Sequence, residues 1–169
     1  SEQVVRFMPN IAASQKAAVT AYAAHQNCSE EHIAYARSIA QSFGQAFALN
    51  ENQFSAFIGI SGSAIAFMLQ FCHALSMGGV KGGIPYSQAL EIVSATMNST
   101  NALLSSSKSH PVELATMVCS AGGTTIEGIQ ALSEGAFDAV VMHAVQSSCE
   151  KSKAMEDRAL LAQEISEKR

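Results

Sequence analysis

The chain has 169 residues, of which 48% are hydrophobic and only 14% are charged, whereas about 25% is usual for a soluble domain. This length suffices for one compact domain with its own core, and the composition excludes a disordered chain. The formal net charge is −4 and no run of lysine or arginine occurs, which argues against nucleic acids and anionic membranes as partners.

The charges are concentrated at one end of the chain. Residues 150–169 hold 10 of the 24 charged side chains, so the remaining positions carry unusually few. A monomer of this kind would expose large apolar patches to water. We therefore expect part of its surface to be covered by a second copy of the chain or by further sequence.

The first fifty residues predict three short strands around one helix. The helix spans residues 30–43, with Ser29 suited to cap it and two glutamates in its first turn. Three strands and one helix make a poor sheet domain alone, so we interpret residues 1–50 as the last part of a larger α/β unit. The predicted strands are residues 4–8, 18–23 and 45–49.

From residue 51 onward the pattern is helical, and prolines and glycine clusters separate the helices. Small residues recur at multiples of four along two lines within the uncharged stretch, which lets helix backbones approach closely and favours a buried subunit interface. A central helix in a monomeric bundle is the alternative. The two lines are Ser55, Gly59 and Ser63, and Gly62, Ala66, Ala74 and Gly78; the predicted helices are residues 51–60, 62–78, 86–106, 111–117, 124–133 and 136–163.

Residues 52–80 carry no charge and could be mistaken for a membrane span. Their longest unbroken apolar run, residues 64–69, has six residues, whereas a span needs about 20. We expect a buried helix in a soluble protein and no membrane partner. No secretory signal is visible at residues 1–6.

The four cysteines lie far apart and form no C-x-x-C pair, which is typical of reduced thiols in the cytoplasm. Cys28 and His32 have helical spacing and Cys72 adjoins His73, but neither pair has a second ligand pair at zinc spacing, so we predict no metal site. Dinucleotide, Walker and nucleophile-elbow motifs are also absent from the sequence.

The most informative segment is residues 118–129, Val-Cys-Ser-Ala-Gly-Gly-Thr-Thr-Ile-Glu-Gly-Ile. Small residues, hydroxyl side chains and a Gly-Gly pair run directly into a helix, so a flexible turn would present backbone N–H groups at the helix N-terminus. This arrangement suits an anion such as a carboxylate. The alternative is a capping box, in which Thr124 and Glu127 satisfy two of those donors internally.

Four segments of the chain resemble the C-terminal half of the pyrroline-5-carboxylate reductases: residues 5–10, 61–63, 79–85 and, most specifically, 120–126. The resemblance implies a mainly α fold. Residues 51–169 would form an interlocked helical dimerisation and substrate domain, and residues 1–50 would be the last strands and helix of a truncated Rossmann-type domain. The glycine-rich fingerprint that binds the dinucleotide would lie upstream. Family members form homodimers, which often assemble into decamers.

The resemblance also implies an oxidoreductase of proline biosynthesis, which reduces 1-pyrroline-5-carboxylate to proline with NADPH or NADH. Thr125 would be the catalytic residue, hydrogen-bonding the ring nitrogen and assisting its protonation. The cofactor supplies the hydride, so the protein needs only to align its ligands and complement their charge. The implied substrate-binding residues are Ser120, Gly122, Gly123, Thr124 and Thr125, and those beside the nicotinamide are Met8, Pro9 and Asn10.

The chain departs from the family pattern at several of these segments. Ile11-Ala12 stands where the family usually has Thr-Pro, and Ala121 replaces a proline. These departures leave a second hypothesis, a non-catalytic helical oligomerisation module derived from the same family. Under the first hypothesis we expect that the chain alone, without the upstream domain, does not turn over.

Overall fold

The computed structural model of the chain describes residues 3–167, which fold as seven α-helices and one three-stranded sheet. This confirms the predicted mainly α class, with the strands preceding the helical part. The boundary at residue 50 stays a prediction. The elements are β1 (Val5–Pro9), β2 (Ala18–Ala24), α1 (Glu30–Gln41), β3 (Gly44–Ala48), α2 (Phe54–Phe57), α3 (Ala64–Lys81), α4 (Tyr86–Ser106), α5 (Pro111–Val118), α6 (Thr124–Glu134) and α7 (Phe137–Glu167).

The sheet has the order β1-β2-β3, with β2 in the middle. β1 pairs antiparallel with β2, placing Phe7 opposite Tyr22, while β3 pairs parallel with β2. Parallel neighbours need a crossover connection, and α1 supplies it. The Ser29 hydroxyl accepts a hydrogen bond from the backbone N–H of His32, so Ser29 caps α1 as predicted.

The core of this part lies between the sheet and α2. Phe54 and Phe57 of α2 are buried against Ala21 and Ala23 of β2, with Met8 packed at the edge of the cluster. Ala21 and Ala23 are two residues apart and so lie on the same face of the sheet. Their small side chains leave room on that face for the two phenylalanine rings.

A π-helical turn, Ile58–Gly62, lies between α2 and α3. A Cβ at Gly59 would lie 2.9 Å from Cys149 Sγ and 3.1 Å from the carbonyl oxygen of Val145. α7 therefore packs directly on the backbone here, and the small-residue line through Gly59 serves contacts within the chain. The second line shows the opposite environment at Gly78, where nothing lies within 4 Å of an added Cβ.

Arg6 of β1 connects the sheet to α7 by an ion pair. Its guanidinium donates to Glu51 at 2.6 Å and to Glu156 at 3.2 Å, and lies 4.5 Å from the centre of the Phe54 ring. Burial lowers the pKa of Arg6, but the two carboxylates outweigh that effect and the net pKa lies above its usual value. The guanidinium thus stays charged at physiological pH.

The turn between α6 and α7 differs from the prediction in one detail. The sequence predicts Gly135 as the glycine that ends α6. In the structure Gly135 is the C-cap with φ −76°, and the left-handed conformation falls on Ala136 with φ 53°. The backbone N–H groups of both residues still bond back to α6 carbonyls, so the helix ends where the glycine predicted.

The chain divides into two compact units, one made of Ser1–Ile65 with Met142–Arg169 and the other of Ala66–Val141. Within the second unit, the Phe71 and Phe137 rings lie 5.8 Å apart and His73 Nδ1 lies 3.1 Å from the Tyr86 hydroxyl. Many large apolar side chains of its helices are nonetheless exposed in the single chain, including Met68, Leu69, Ile92, Met117, Val140, Ile129 and Leu132.

Among residues 3–167, one continuous helical run, Glu51–Lys81, is long and apolar enough to cross a membrane by length and composition. Core helices of soluble proteins pass the same test, and a third of the most apolar window is already buried within the chain. This run includes a π-turn whose residues Gly59 and Ser61 are buried.

Candidate functional site

The turn before α6 is built to leave backbone donors open. Gly123 is the N-cap of α6 and makes no side-chain capping hydrogen bond. Gly122 has φ 65°, a left-handed conformation that glycine adopts without strain. The first N–H groups of any helix lack partners within it, so this helix start presents donors and the positive end of its dipole to a ligand.

The structure argues against one of the two interpretations of this segment, the capping box. A capping box would require Thr124 to be the N-cap, but Thr124 is the first residue of the helix and Gly123 precedes it as the cap. The alternative interpretation, a capping box of Thr124 with Glu127, is therefore not what the structure forms. The reason is geometric: Gly123 takes the extended conformation that an N-cap needs, with φ −83° and ψ 169°.

Ser120 closes the turn from its other side. The N–H of Gly123 donates to the Ser120 carbonyl at 3.0 Å. A Cβ at Gly123 would lie only 2.2 Å from Ser120 Oγ, so the hydroxyl rests directly over that glycine. Thr125 is half-buried in the first turn of α6, while Ser120 is exposed. The five predicted substrate residues thus share one turn of the second unit.

Met8, Pro9 and Asn10 lie in the first unit, at the end of β1. Met8 is half-buried, Pro9 is exposed and Asn10 is buried. The Asn10 side-chain oxygen accepts from the N–H groups of Ala12 at 3.2 Å and Val19 at 3.3 Å. It thereby caps the 3-10 turn Ile11–Gln15 that follows β1.

Ser61 is the residue of this region to which the sequence assigned no role. Its hydroxyl accepts a hydrogen bond from Asn10 Nδ2 at 3.3 Å and donates to the Val19 carbonyl at 3.5 Å. Ser61 does lie in residues 61–63, one of the four segments that carry the family resemblance. A contact across 51 positions leaves no local signal, because nothing near Ser61 in sequence requires a buried hydroxyl.

The residues at the end of β1 suit the nicotinamide end of NAD(P)H. Met8 and Pro9 offer an uncharged surface against which a planar ring can lie, and Asn10 Nδ2 carries two hydrogens, of which Ser61 receives one. The backbone of this segment is also fixed, since the N–H of Asn10 donates to the Val19 carbonyl at 3.2 Å.

Metal ligands do not gather in the part of the chain that the structure describes: no three His, Cys, Asp or Glu side chains are placed to share an ion. Its four cysteines are free thiols.

Residues 51–155 match the family model for pyrroline-5-carboxylate reductase dimerisation. The chain is 36% identical to a pyrroline-5-carboxylate reductase of Aquifex aeolicus over 154 residues, covering 91% of this chain and 58% of the relative. It therefore spans little more than half the length of such relatives.

Solved structures agree. A 1-pyrroline-5-carboxylate reductase from Streptococcus pyogenes superposes with a TM-score of 0.86 at 35% identity, covering 90% of this chain and 59% of that one. A Plasmodium falciparum pyrroline carboxylate reductase with NADP bound superposes with a TM-score of 0.86 at 28% identity, covering 92% and 62%. The chain belongs to the pyrroline-5-carboxylate reductase family, and residues 51–155 carry that family's dimerisation domain.

Proposed function

We propose that this chain is part of a pyrroline-5-carboxylate reductase that acts in the cytoplasm, reducing 1-pyrroline-5-carboxylate to proline with NADPH or NADH. The observation that carries the proposal is the start of α6, where the N-cap is a glycine and no side chain caps the first N–H groups of the helix. Family membership supports it, as does the relative with NADP bound.

The turn at residues 120–125 binds the substrate carboxylate. The N–H groups at the start of α6 donate to it, the Ser120 hydroxyl adds a further donor, and the helix dipole favours its negative charge. No lysine or arginine is needed, because several aligned N–H groups supply the complementary partial charge. Consistent with this, neither the turn nor α6 contains a lysine or arginine between positions 120 and 134.

Thr125 holds the ring nitrogen of the substrate and assists its protonation. Its hydroxyl both donates and accepts hydrogen bonds, so it can bridge the nitrogen and a proton source while the imine becomes an amine. NAD(P)H, when bound, supplies the hydride that adds to C5. Met8, Pro9 and Asn10 position the nicotinamide, and the reaction balances with one hydride to carbon and one proton to nitrogen.

The exposed helical faces cover one another in a homodimer, and dimers assemble further into decamers. Large apolar side chains such as Met68, Leu69 and Val140 are more than half exposed in the single chain. A soluble monomer seldom exposes so much contiguous apolar surface, and the matched domain is one of dimerisation.

One observation favours the second candidate, a non-catalytic oligomerisation module. Ile11, which follows the cofactor-side segment where the family usually has threonine, is 80% exposed. A large apolar side chain there alters the surface beside Asn10. In this case the helices would still associate, but the turn before α6 would bind no carboxylate.

A titration with L-proline separates the two candidates. We expect the backbone amide signals of residues 120–125 in the ¹⁵N-labelled chain to shift on adding proline. In Gly123→Ala the new methyl displaces the Ser120 hydroxyl, so proline affinity falls about tenfold. Gly128→Ala, later in the same helix with nothing within 4 Å of its Cβ, is the matched control and binds normally.

The outcome that contradicts the reductase proposal is an absence of local response to proline in the unmodified chain, or equal binding by Gly123→Ala. We expect the chain alone to oxidise no NAD(P)H in the presence of the pyrroline. Turnover by the chain alone would mean that its cofactor site is more complete than residues 8–10.

A further inference from the structure

Two polar side chains from distant parts of the chain meet in the interior at the end of β1. Asn10 and Ser61 are only 9% and 7% exposed, and Asn10 Nδ2 donates to Ser61 Oγ at 3.3 Å. A buried polar pair costs free energy unless both groups find partners. The pair is thus satisfied by itself and by the neighbouring strand.

The Asn10 amide is held at both ends. Its oxygen receives the N–H groups of Ala12 and Val19, while its nitrogen donates to Ser61. Turning the amide over would set its NH₂ group against two N–H donors and break both of those hydrogen bonds. The two backbone N–H donors set which way the amide faces, and Ser61 supplies the contact that holds its nitrogen in place.

The π-turn explains how Ser61 reaches this position. A π-turn holds one residue more than an α-turn and so changes which side chains face a neighbouring element. Here it spans Ile58–Gly62 and includes Ser61. The turn is itself fixed, because Gly59 packs against Cys149 and Val145 of α7.

We propose that Ser61 is a positioning residue for the nicotinamide side of the site: through Asn10, it fixes the segment Met8-Pro9-Asn10 against which the nicotinamide lies. This inference rests on the proposed function. Ser61 touches neither substrate nor cofactor in it. Its contribution is to reduce the freedom of a segment that must present a flat surface within a fraction of an ångström.

The test compares three variants with the unmodified ¹⁵N-labelled chain. Ser61→Ala removes the hydroxyl, Ser61→Thr keeps it, and Ser55→Ala removes a hydroxyl of similar burial from α2 as the matched control. NADH, NADPH and L-proline are titrated separately. The readouts are the backbone amides of Met8 and Asn10, the side-chain NH₂ of Asn10, and the amides of residues 120–125.

We expect Ser61→Ala to weaken NADH and NADPH binding about fivefold, the effect of one hydrogen bond, and to leave proline affinity within about twofold. The Asn10 NH₂ signal should move and lose protection from hydrogen exchange. Ser61→Thr should restore both properties, and Ser55→Ala should change neither.

Different outcomes overturn different claims. If the unmodified chain responds to neither proline nor NAD(P)H, the proposed function fails and the role of Ser61 fails with it. If the chain responds to proline but not to NAD(P)H, or if Ser61→Ala binds NAD(P)H as the unmodified chain does, the positioning role alone is overturned. It is also overturned if Ser55→Ala weakens binding equally, because the effect would then come from general loosening of the fold.

Discussion

At the scale of single residues, the sheet holds one buried hydroxyl that is not satisfied. Thr20 of β2 is fully buried, and its Oγ1 has no hydrogen-bond partner among the described residues. The neighbouring buried polar residues differ, since Asn10 and Ser61 satisfy each other. A buried hydroxyl without a partner lowers stability by the free energy of its lost hydration.

Thr20→Val should therefore stabilise the chain. Valine has nearly the shape of threonine but no hydroxyl, and we expect the free energy of unfolding to rise by about 1 kcal/mol. Denaturant unfolding at fixed protein concentration measures the change. The control is Thr96→Val on the exposed side of α4, where the hydroxyl bonds to the Ile92 carbonyl and the change should stay within about 0.5 kcal/mol. A loss of stability in Thr20→Val would show that the hydroxyl has a partner in solution.

The residues of the candidate site differ in how far sequence could identify them. The Gly-Gly pair before α6 could be identified from the sequence, because the left-handed residue and the helix start lie at neighbouring positions. The same residues fit both an open helix start and a capping box, so the sequence alone did not show whether Gly123 or Thr124 would be the N-cap. The contact of Ser61 with Asn10 depends on the tertiary fold.

At the scale of elements, the predicted strands and helices lie within a few residues of the observed ones, since apolar spacing, caps and prolines all act locally. Two features were not predicted from the sequence. The break predicted between residues 60 and 62 is a π-turn, Ile58–Gly62, whose geometry depends on the contact between Gly59 and α7. The left-handed residue after α6 moved from Gly135 to Ala136, because a cap can shift by one position without moving the helix end.

The pairing of β3 with β2 begins at a glycine that no other residue can replace. Gly44 lies opposite Ala18, and a Cβ on Gly44 would lie 2.0 Å from the Ala18 carbonyl oxygen and 2.5 Å from its nitrogen. Both contacts are backbone on backbone, so neither side can give way by a rotamer change.

We expect Gly44→Ala to lower the free energy of unfolding by about 3 kcal/mol, the upper part of the range for overpacking, as β3 separates from β2 at its first residue. Thermal unfolding followed by circular dichroism measures it. Gly128→Ala should instead raise stability by about 0.5 to 1 kcal/mol, since its Cβ meets nothing within 4 Å. Equal effects of the two substitutions would contradict this account of β3.

At the scale of the whole molecule, both the composition and the exposed side chains indicate an apolar surface that needs a cover. A chain with 14% charged residues folds into helices that leave large apolar side chains in contact with water. In the run Glu51–Lys81, Met68 and Leu69 are 55% and 64% exposed. That run meets the criteria for a membrane span, but it lies within the segment that matches a dimerisation domain. A second copy of the chain is the cover that the proposed function requires.

Leu69→Glu and Gln70→Glu test this cover with the same added charge at adjacent positions. Burying a leucine contributes about 1.5 to 3 kcal/mol, and a buried unpaired carboxylate costs more, so Leu69→Glu should weaken self-association at least tenfold. Gln70 is already polar and exposed, so Gln70→Glu should leave association unchanged. Sedimentation equilibrium in detergent-free buffer measures both, and circular dichroism checks that each variant keeps its helices. A monomeric unmodified chain in that buffer, or self-association that Leu69→Glu leaves unchanged, would show that the exposed face of α3 is not where two copies meet.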